Sequence, residues 1–200
     1  EYSGNGRAYF GQLHEHSNNS SDAPNGGSVD DVYRLGEQRG LDLIAVTDHA
    51  RNITQSRWEN QTTKDDQHTS DGSFVGLSGF EITEQKWDGR PEGRGTSMNH
   101  TNVFNSNWLL GRVRSYQDTL WYLKQDPYAV GQFNHPDSGN MKHNNFIYDE
   151  LLDRVMNLIE LARGSNVSHM WGQFIKALDN GWHVAPTSHE DQHGTGYGNM

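Results

Sequence analysis

Short apolar segments recur along this chain, and each ends in a polar or histidine-bearing turn. Their length and their content of Val, Ile, Leu and aromatic residues predict β-strands. Seven strands are predicted, at Ala8–His14, Asp42–Thr47, Phe74–Thr83, His100–Phe104, Tyr128–Asn134, Asn157–Ala162 and Trp182–Pro186. The intervening sequence predicts helices at Val29–Arg39, Tyr116–Lys124, Tyr148–Val155 and Trp171–Leu178. This alternation indicates an α/β fold with a mostly parallel sheet.

Two polar stretches carry no clear periodicity, Asn52–Ser73 and Gln85–Asn99. We interpret both as excursions from the sheet. Loops of that length inside a compact domain are functional or disordered.

The composition narrows the class of protein. A length of 200 residues suits a single domain that spans the whole chain. With a net charge of -10 and no basic run, the chain lacks the electrostatic footprint of a nucleic-acid-binding protein. The absence of cysteine excludes disulfides, thiolate metal sites and a cysteine nucleophile. No apolar run is long enough to cross a bilayer.

The ends of the sequence suggest that it is a fragment of a longer protein. It begins at Glu1 without a methionine and stops at Met200, soon after the last histidine-bearing motif. The high Asn, Ser and Gly content is compatible with a location outside the cell or at its surface, and a cytoplasmic location stays open. Oligomeric state is not indicated by any pattern.

Histidines and carboxylates follow the predicted strands. His14 and His16 are two residues apart at the end of the first strand and therefore point to one face. The other strands contribute Asp48, His49, Glu81, His100, His135, Asp191 and His193. The carboxyl ends of parallel strands meet at one rim, and His with carboxylates suits zinc, manganese or iron. The pattern therefore predicts a metal site there.

The motifs Gln12-Leu-His14-Glu-His16, Val46-Thr-Asp48-His49, Gly79-Phe-Glu81, Asn134-His135-Pro and Asp191-Gln-His193 occur in this order. They resemble the polymerase and histidinol phosphatase (PHP) superfamily, in particular its CehA/McbA-type branch. The resemblance covers about residues 8 to 196.

The resemblance implies a distorted seven-stranded (βα)7 barrel with three divalent ions. His14, His16, Glu81 and Asp191 would hold the first ion, and Glu81 would bridge to a second held by His100 and His135. A third would be held by Asp22, His49 and His193. His189 and Glu190 are alternative ligands in the closing motif.

Three further residues are candidates for catalytic roles. Asp48 is expected to accept a hydrogen bond that orients a ligand imidazole, as metal-bound histidines require. His143 follows the His135 motif and could contact substrate or act as an acid, against a structural role. Arg163, just past the sixth strand, could pair with a substrate oxyanion or only with a neighbouring carboxylate.

The leading functional hypothesis is hydrolysis of a phosphate mono- or diester by a metal-bridging hydroxide. The same chemistry could attack a carboxylic ester or a carbamate, which the CehA/McbA-type branch implies. The substrate would be a small molecule or a polymer. A hypothesis from another class is a metal-stabilised binding module of a surface protein.

Overall fold

A computed structural model describes residues 8–86, 96–110, 116–136, 143–163 and 170–199. The strands are β1 Gly11–Gln12, β2 Leu43–Val46, β3 Val75–Lys86, β4 Thr96–Phe104, β5 Val130–Phe133, β6 Met156–Arg163 and β7 Ala185–His189. The helices are α1 Val29–Gln38, α2 Gln55–His68, α3 Tyr116–Gln125, α4 Glu150–Asp153 and α5 Trp171–Asp179. Short 3₁₀ turns occur at Ala50–Asn52 and His143–Phe146.

The strands form one sheet in sequence order, β1 to β7. Parallel pairs join β1, β2 and β3, and again β5, β6 and β7. A parallel bridge between Glu15 and Gln192 brings the two edges together, and the His16 amide donates to the Gln192 carbonyl. The distorted seven-stranded barrel predicted from the sequence is therefore confirmed.

Strand β4 departs from the parallel pattern, because it pairs antiparallel with both β3 and β5. Its amino-terminal half consequently lies at the same rim as the carboxyl ends of its neighbours. His100 is paired with Thr83 there, whereas in a parallel strand it would lie away from the rim.

The prediction that Asn52–Ser73 is an excursion was wrong, because Gln55–His68 forms α2. The Thr54 hydroxyl accepts from the Arg57 amide and caps the helix. On the inner side, Trp58 is buried and the Gln61 amide donates to the carbonyls of Val46 and Gly79. This polar anchor produces no apolar periodicity in the sequence.

The second predicted excursion, Gln85–Asn99, was also partly wrong. Strand β3 continues to Lys86 and β4 begins at Thr96, so that the two form a long antiparallel pair. Residues 87–95 lie outside the described part of the chain. The first predicted strand was too long, since only Gly11 and Gln12 pair as β1.

The buried apolar side chains of the described residues form two clusters. One cluster packs α1 against β2 and includes Val32, Tyr33, Ile44 and Tyr197. A larger cluster includes Phe80, Phe133, Ile159 and other side chains behind β3 to β7. None of the helices in the described residues is long and apolar enough to cross a bilayer.

Candidate metal centre

Glu81 of β3 lies at the centre of a group of five histidines. Its Oε1 is 3.2 Å from His14 Nε2, 2.8 Å from His100 Nδ1 and 3.5 Å from His135 Nε2. Its Oε2 is 2.7 Å from His49 Nδ1 and 3.7 Å from His16 Nε2. The side chain is 1% exposed. Five imidazoles contributed by separate parts of the chain thus share one buried carboxylate.

All nine predicted metal ligands meet at this rim. Their donor atoms form groups whose members lie within 4.8 Å of one another. The groups are His14, His16 and Asp191; Glu81, His100 and His135; and His16, Asp22, His49 and His193. The assignment of ions to these residues stays a prediction, but the side chains are placed as it requires.

Hydrogen bonds set the tautomers of the first two histidines. His14 Nδ1 donates to Glu160 Oε1 at 2.6 Å. The Ser20 hydroxyl donates to Asp48 and accepts from His16 Nδ1 at 3.0 Å. Both Nδ1 atoms therefore carry hydrogen, and both Nε2 lone pairs point into the centre.

These lone pairs test whether the site suits a cation. The two Nε2 atoms are 3.2 Å apart, and Asp191 Oδ1 lies 3.3 Å from one and 3.1 Å from the other. Imidazole nitrogens and a carboxylate oxygen that converge at such distances hold either a proton or a cation between them. The donors are imidazoles and carboxylates, which suit zinc, manganese or iron. The residues present therefore fit a divalent metal ion.

The third group is more open than the others. Asp22 Oδ2 is 2.7 Å from His49 Nε2 and 3.7 Å from His193 Nε2. The side chains of Asp22 and His193 are 41% and 33% exposed, whereas those of His14 and His16 are at most 1% exposed. A molecule from solvent consequently reaches the centre at Asp22 and His193.

The ionisation of these groups reflects their partners. Burial raises the pKa of Glu81, but the charges of His100, His49 and His14 outweigh it and hold that pKa well below its usual range. Burial lowers the pKa of His49, but Glu81 and Asp22 outweigh it and raise it to about 9. The histidines therefore keep the Glu81 carboxylate ionised, which is the form that binds a cation.

Two ligand positions have backbone angles that are rare outside glycine. His135 has φ of 26° and Asp191 has φ of 51°. The His135 amide donates to Glu160 Oε2, and the His193 ring donates to the Asp191 carbonyl at 2.9 Å. Such angles persist where surrounding contacts hold them, and they are typical of functional sites.

Asp48 acts on the centre through the loop that follows β1. Its carboxylate accepts from the Ser17 amide at 2.8 Å, from the Ser17 hydroxyl at 2.5 Å and from the Ser20 hydroxyl at 2.8 Å. It therefore reaches the His16 imidazole by way of Ser20 rather than by direct contact.

His143 is fully buried behind the barrel wall. Its Nε2 donates to the Asn134 carbonyl at 3.2 Å, and burial lowers its pKa to about 3. It begins a turn in which four consecutive residues, 143–146, have positive φ. These features place a neutral imidazole in packing contact with Phe133.

Two other predicted residues have side chains outside the described part. The backbone of Arg163 ends β6 and that of His189 ends β7, at the expected rim. The alternative ligand Glu190 does not belong to any of the donor groups found among the described residues.

Glu160 was missed by the sequence analysis. It is fully buried on β6 and accepts hydrogen bonds from His14, from the His135 amide and from the Gln132 amide at 2.9 Å. It thus joins ligands of the first and second groups. A carboxylate inside the apolar run 158–162 of β6 was the available signal.

No family model and no curated protein matches this chain. A solved structure from Bifidobacterium adolescentis, provisionally described as a metal-dependent phosphoesterase, aligns with a TM-score of 0.62 at 14% identity, over 96% of this chain and 90% of that one. This likeness shows the fold, and it agrees with the barrel expected from the sequence.

A second solved structure is that of Endonuclease Q in complex with a 27-mer duplex that carries an abasic lesion. It aligns with a TM-score of 0.52 at 12% identity, over 92% of this chain. The present chain spans 49% of the endonuclease chain. Neither structure bears on the CehA/McbA-type branch.

Proposed function

We propose that this protein is a metal-dependent phosphoesterase that acts on phosphate mono- or diesters. The observation that carries the proposal is the convergence of the three donor groups on Glu81. The provisional description of the first structural neighbour and the name of the second both concern phosphate ester chemistry, which supports the choice of bond.

His14, His16, Glu81 and Asp191 would hold one ion, Glu81, His100 and His135 a second, and Asp22, His49 and His193 a third. When bound, such ions lower the pKa of coordinated water and neutralise charge on phosphoryl oxygens. Glu160, Ser20 and the Asp191 carbonyl keep three imidazoles in the tautomer that presents Nε2. The open side at Asp22 and His193 admits the substrate.

The charge of the chain favours a small phosphoester over a polyanionic duplex. A net charge of -10 repels nucleic acid at long range, although one structural neighbour binds it. A small ester carries one or two charges and is attracted by the local cations of the site.

The test is removal of metal with a chelator, followed by reconstitution with manganese, zinc or iron. A panel of aryl phosphates, aryl phosphodiesters, aryl esters and carbamates is then assayed. We expect phosphoester hydrolysis that the chelator abolishes and at least one metal restores. Hydrolysis of only the carboxylic esters or carbamates, or metal binding with no hydrolysis, would refute the proposal.

A further inference from the structure

Two arginines flank the third donor group and differ in their partners. The Arg57 guanidinium donates to the carbonyls of Asn52 at 2.7 Å and Asn19 at 3.3 Å. Arg51 follows His49 in the 3₁₀ turn, and within the described residues its guanidinium makes no hydrogen bond. Its nearest carboxylate oxygen is Asp22 Oδ2, at 4.0 Å. Arg57 therefore holds the loop, whereas Arg51 keeps its donors available.

The loop contacts fix Arg51 beside the site. The Asn52 side chain accepts from the amide and the hydroxyl of Ser21, both at 3.2 Å. Asp22 follows directly, and its Oδ2 faces both His49 and Arg51. The Arg51 guanidinium thus lies beside Asp22, a member of the third group, and the Arg51 side chain is 29% exposed.

Because Asp22 is shared between Arg51 and the third donor group, a cation held there together with the guanidinium would leave excess positive charge that attracts an anion. Arginine presents a fork of N–H donors that matches two oxygens of a phosphoryl group. We propose that Arg51 binds the non-bridging phosphoryl oxygens of the substrate at the third donor group. This role rests on the proposed function.

The assignment narrows the substrate class. Phosphate mono- and diesters both present charged non-bridging oxygens to Arg51, and inorganic phosphate, the product from a monoester, does so as well. Neutral carboxylic esters and carbamates do not. Arg51 therefore selects for phosphate esters without contributing a protein nucleophile.

The experiment compares the metal-loaded wild type with Arg51→Gln, Arg51→Lys and a control, Arg154→Gln. Arg154 is 68% exposed and pairs with Glu150, so its variant makes the same change in net charge away from the site. Inorganic phosphate binding is measured by calorimetry, and metal content is measured by elemental analysis. The KM is obtained from steady-state kinetics with an aryl phosphate. A charged hydrogen bond of this kind corresponds to about a ten- to hundredfold loss of phosphate affinity in Arg51→Gln.

We expect that loss with unchanged metal content, an intermediate loss in Arg51→Lys, and wild-type affinity in Arg154→Gln. Equal phosphate affinity in Arg51→Gln and the wild type would overturn the proposal, as would loss of metal from Arg51→Gln or an absence of phosphate binding by the wild type. Phosphate binding is read without turnover. An Arg51 effect on binding in a protein that hydrolyses no phosphoester would therefore refute the proposed function alone.

Discussion

Glu81 and Glu84 lie three residues apart on β3 and are 1% and 2% exposed, but their pKa values are shifted in opposite directions. Glu81 points into the barrel, where surrounding histidines hold its pKa well below the usual range. Glu84 points towards α3, where burial raises its pKa to about 7 despite a hydrogen bond from the Asn99 side-chain amide at 2.7 Å. Burial alone therefore favours a neutral carboxyl, and the inner face of the sheet is built to hold charge.

The largest effect is expected from Glu81→Gln. A neutral amide offers one donor oxygen where the carboxylate offers two, and its nitrogen would face histidine nitrogens. We expect loss of most bound metal and at least about a hundredfold loss of kcat/KM, since supporting residues alone contribute ten- to hundredfold. The measurement is elemental analysis of the metal bound to Glu81→Gln, with Glu84→Gln as the matched control. Full metal content in Glu81→Gln would show that the charge of Glu81 on the inner face of β3 is not needed to bind metal.

A smaller effect is expected from Glu160→Gln. The amide cannot accept from both His14 Nδ1 and the His135 amide while it also pairs with Gln132. Metal affinity should fall about ten- to hundredfold. NMR of the imidazole nitrogens should show His14 in a mixture of tautomers. A metal affinity equal to that of Glu84→Gln would contradict a positioning role for Glu160.

The smallest effect on the metal centre is expected from Glu84→Gln, which should change only the pH dependence of stability. Because the folded pKa of about 7 lies above the usual 4.5, the protonated carboxyl stabilises the fold, and that contribution is lost as pH rises from 4.5 to 7. Relative to the variant, the wild type should lose about 3 kcal/mol at most over this range.

The measurement is urea unfolding of the wild type and of Glu84→Gln, both after metal removal, at pH 5 and pH 8. Titration of the histidines affects both proteins equally and therefore cancels in the difference between their free energies of unfolding. Glu150→Gln, at a side chain 77% exposed, is the control. If the difference in the free energy of unfolding between the wild type and Glu84→Gln stays constant with pH, the raised pKa of Glu84 is refuted.

Much of this architecture follows from local sequence. The strands and the ligand motifs were predictable because apolar runs end in histidines and carboxylates at a regular phase. Helix α2 was not, since it is anchored by Gln61 and a single buried tryptophan rather than by an apolar stripe. The reversal of β4 depends on its pairing with β3 and β5, which no motif in the strand reports.

The supporting residues of the site were the least predictable. Glu160 and its partner His14 are separated by 146 positions, and the sequence around neither residue indicates that the two are in contact. Arg51 adjoins a ligand motif, but its availability depends on the contrast with Arg57 in three dimensions. Sequence motifs thus indicated the donors, whereas the contacts that orient them required the fold.

The barrel closes at one isolated bridge, between Glu15 and Gln192. Beside that bridge, His14 and His16 face Asp191, which is close to the other end of the chain. Ions bound there would tie the two edges of the sheet together, much as a disulfide joins distant segments, and the entropy of closing so long a loop favours such a link. In a chain without cysteine, the candidate metal centre would then also act as a reversible cross-link, which a chelator can remove.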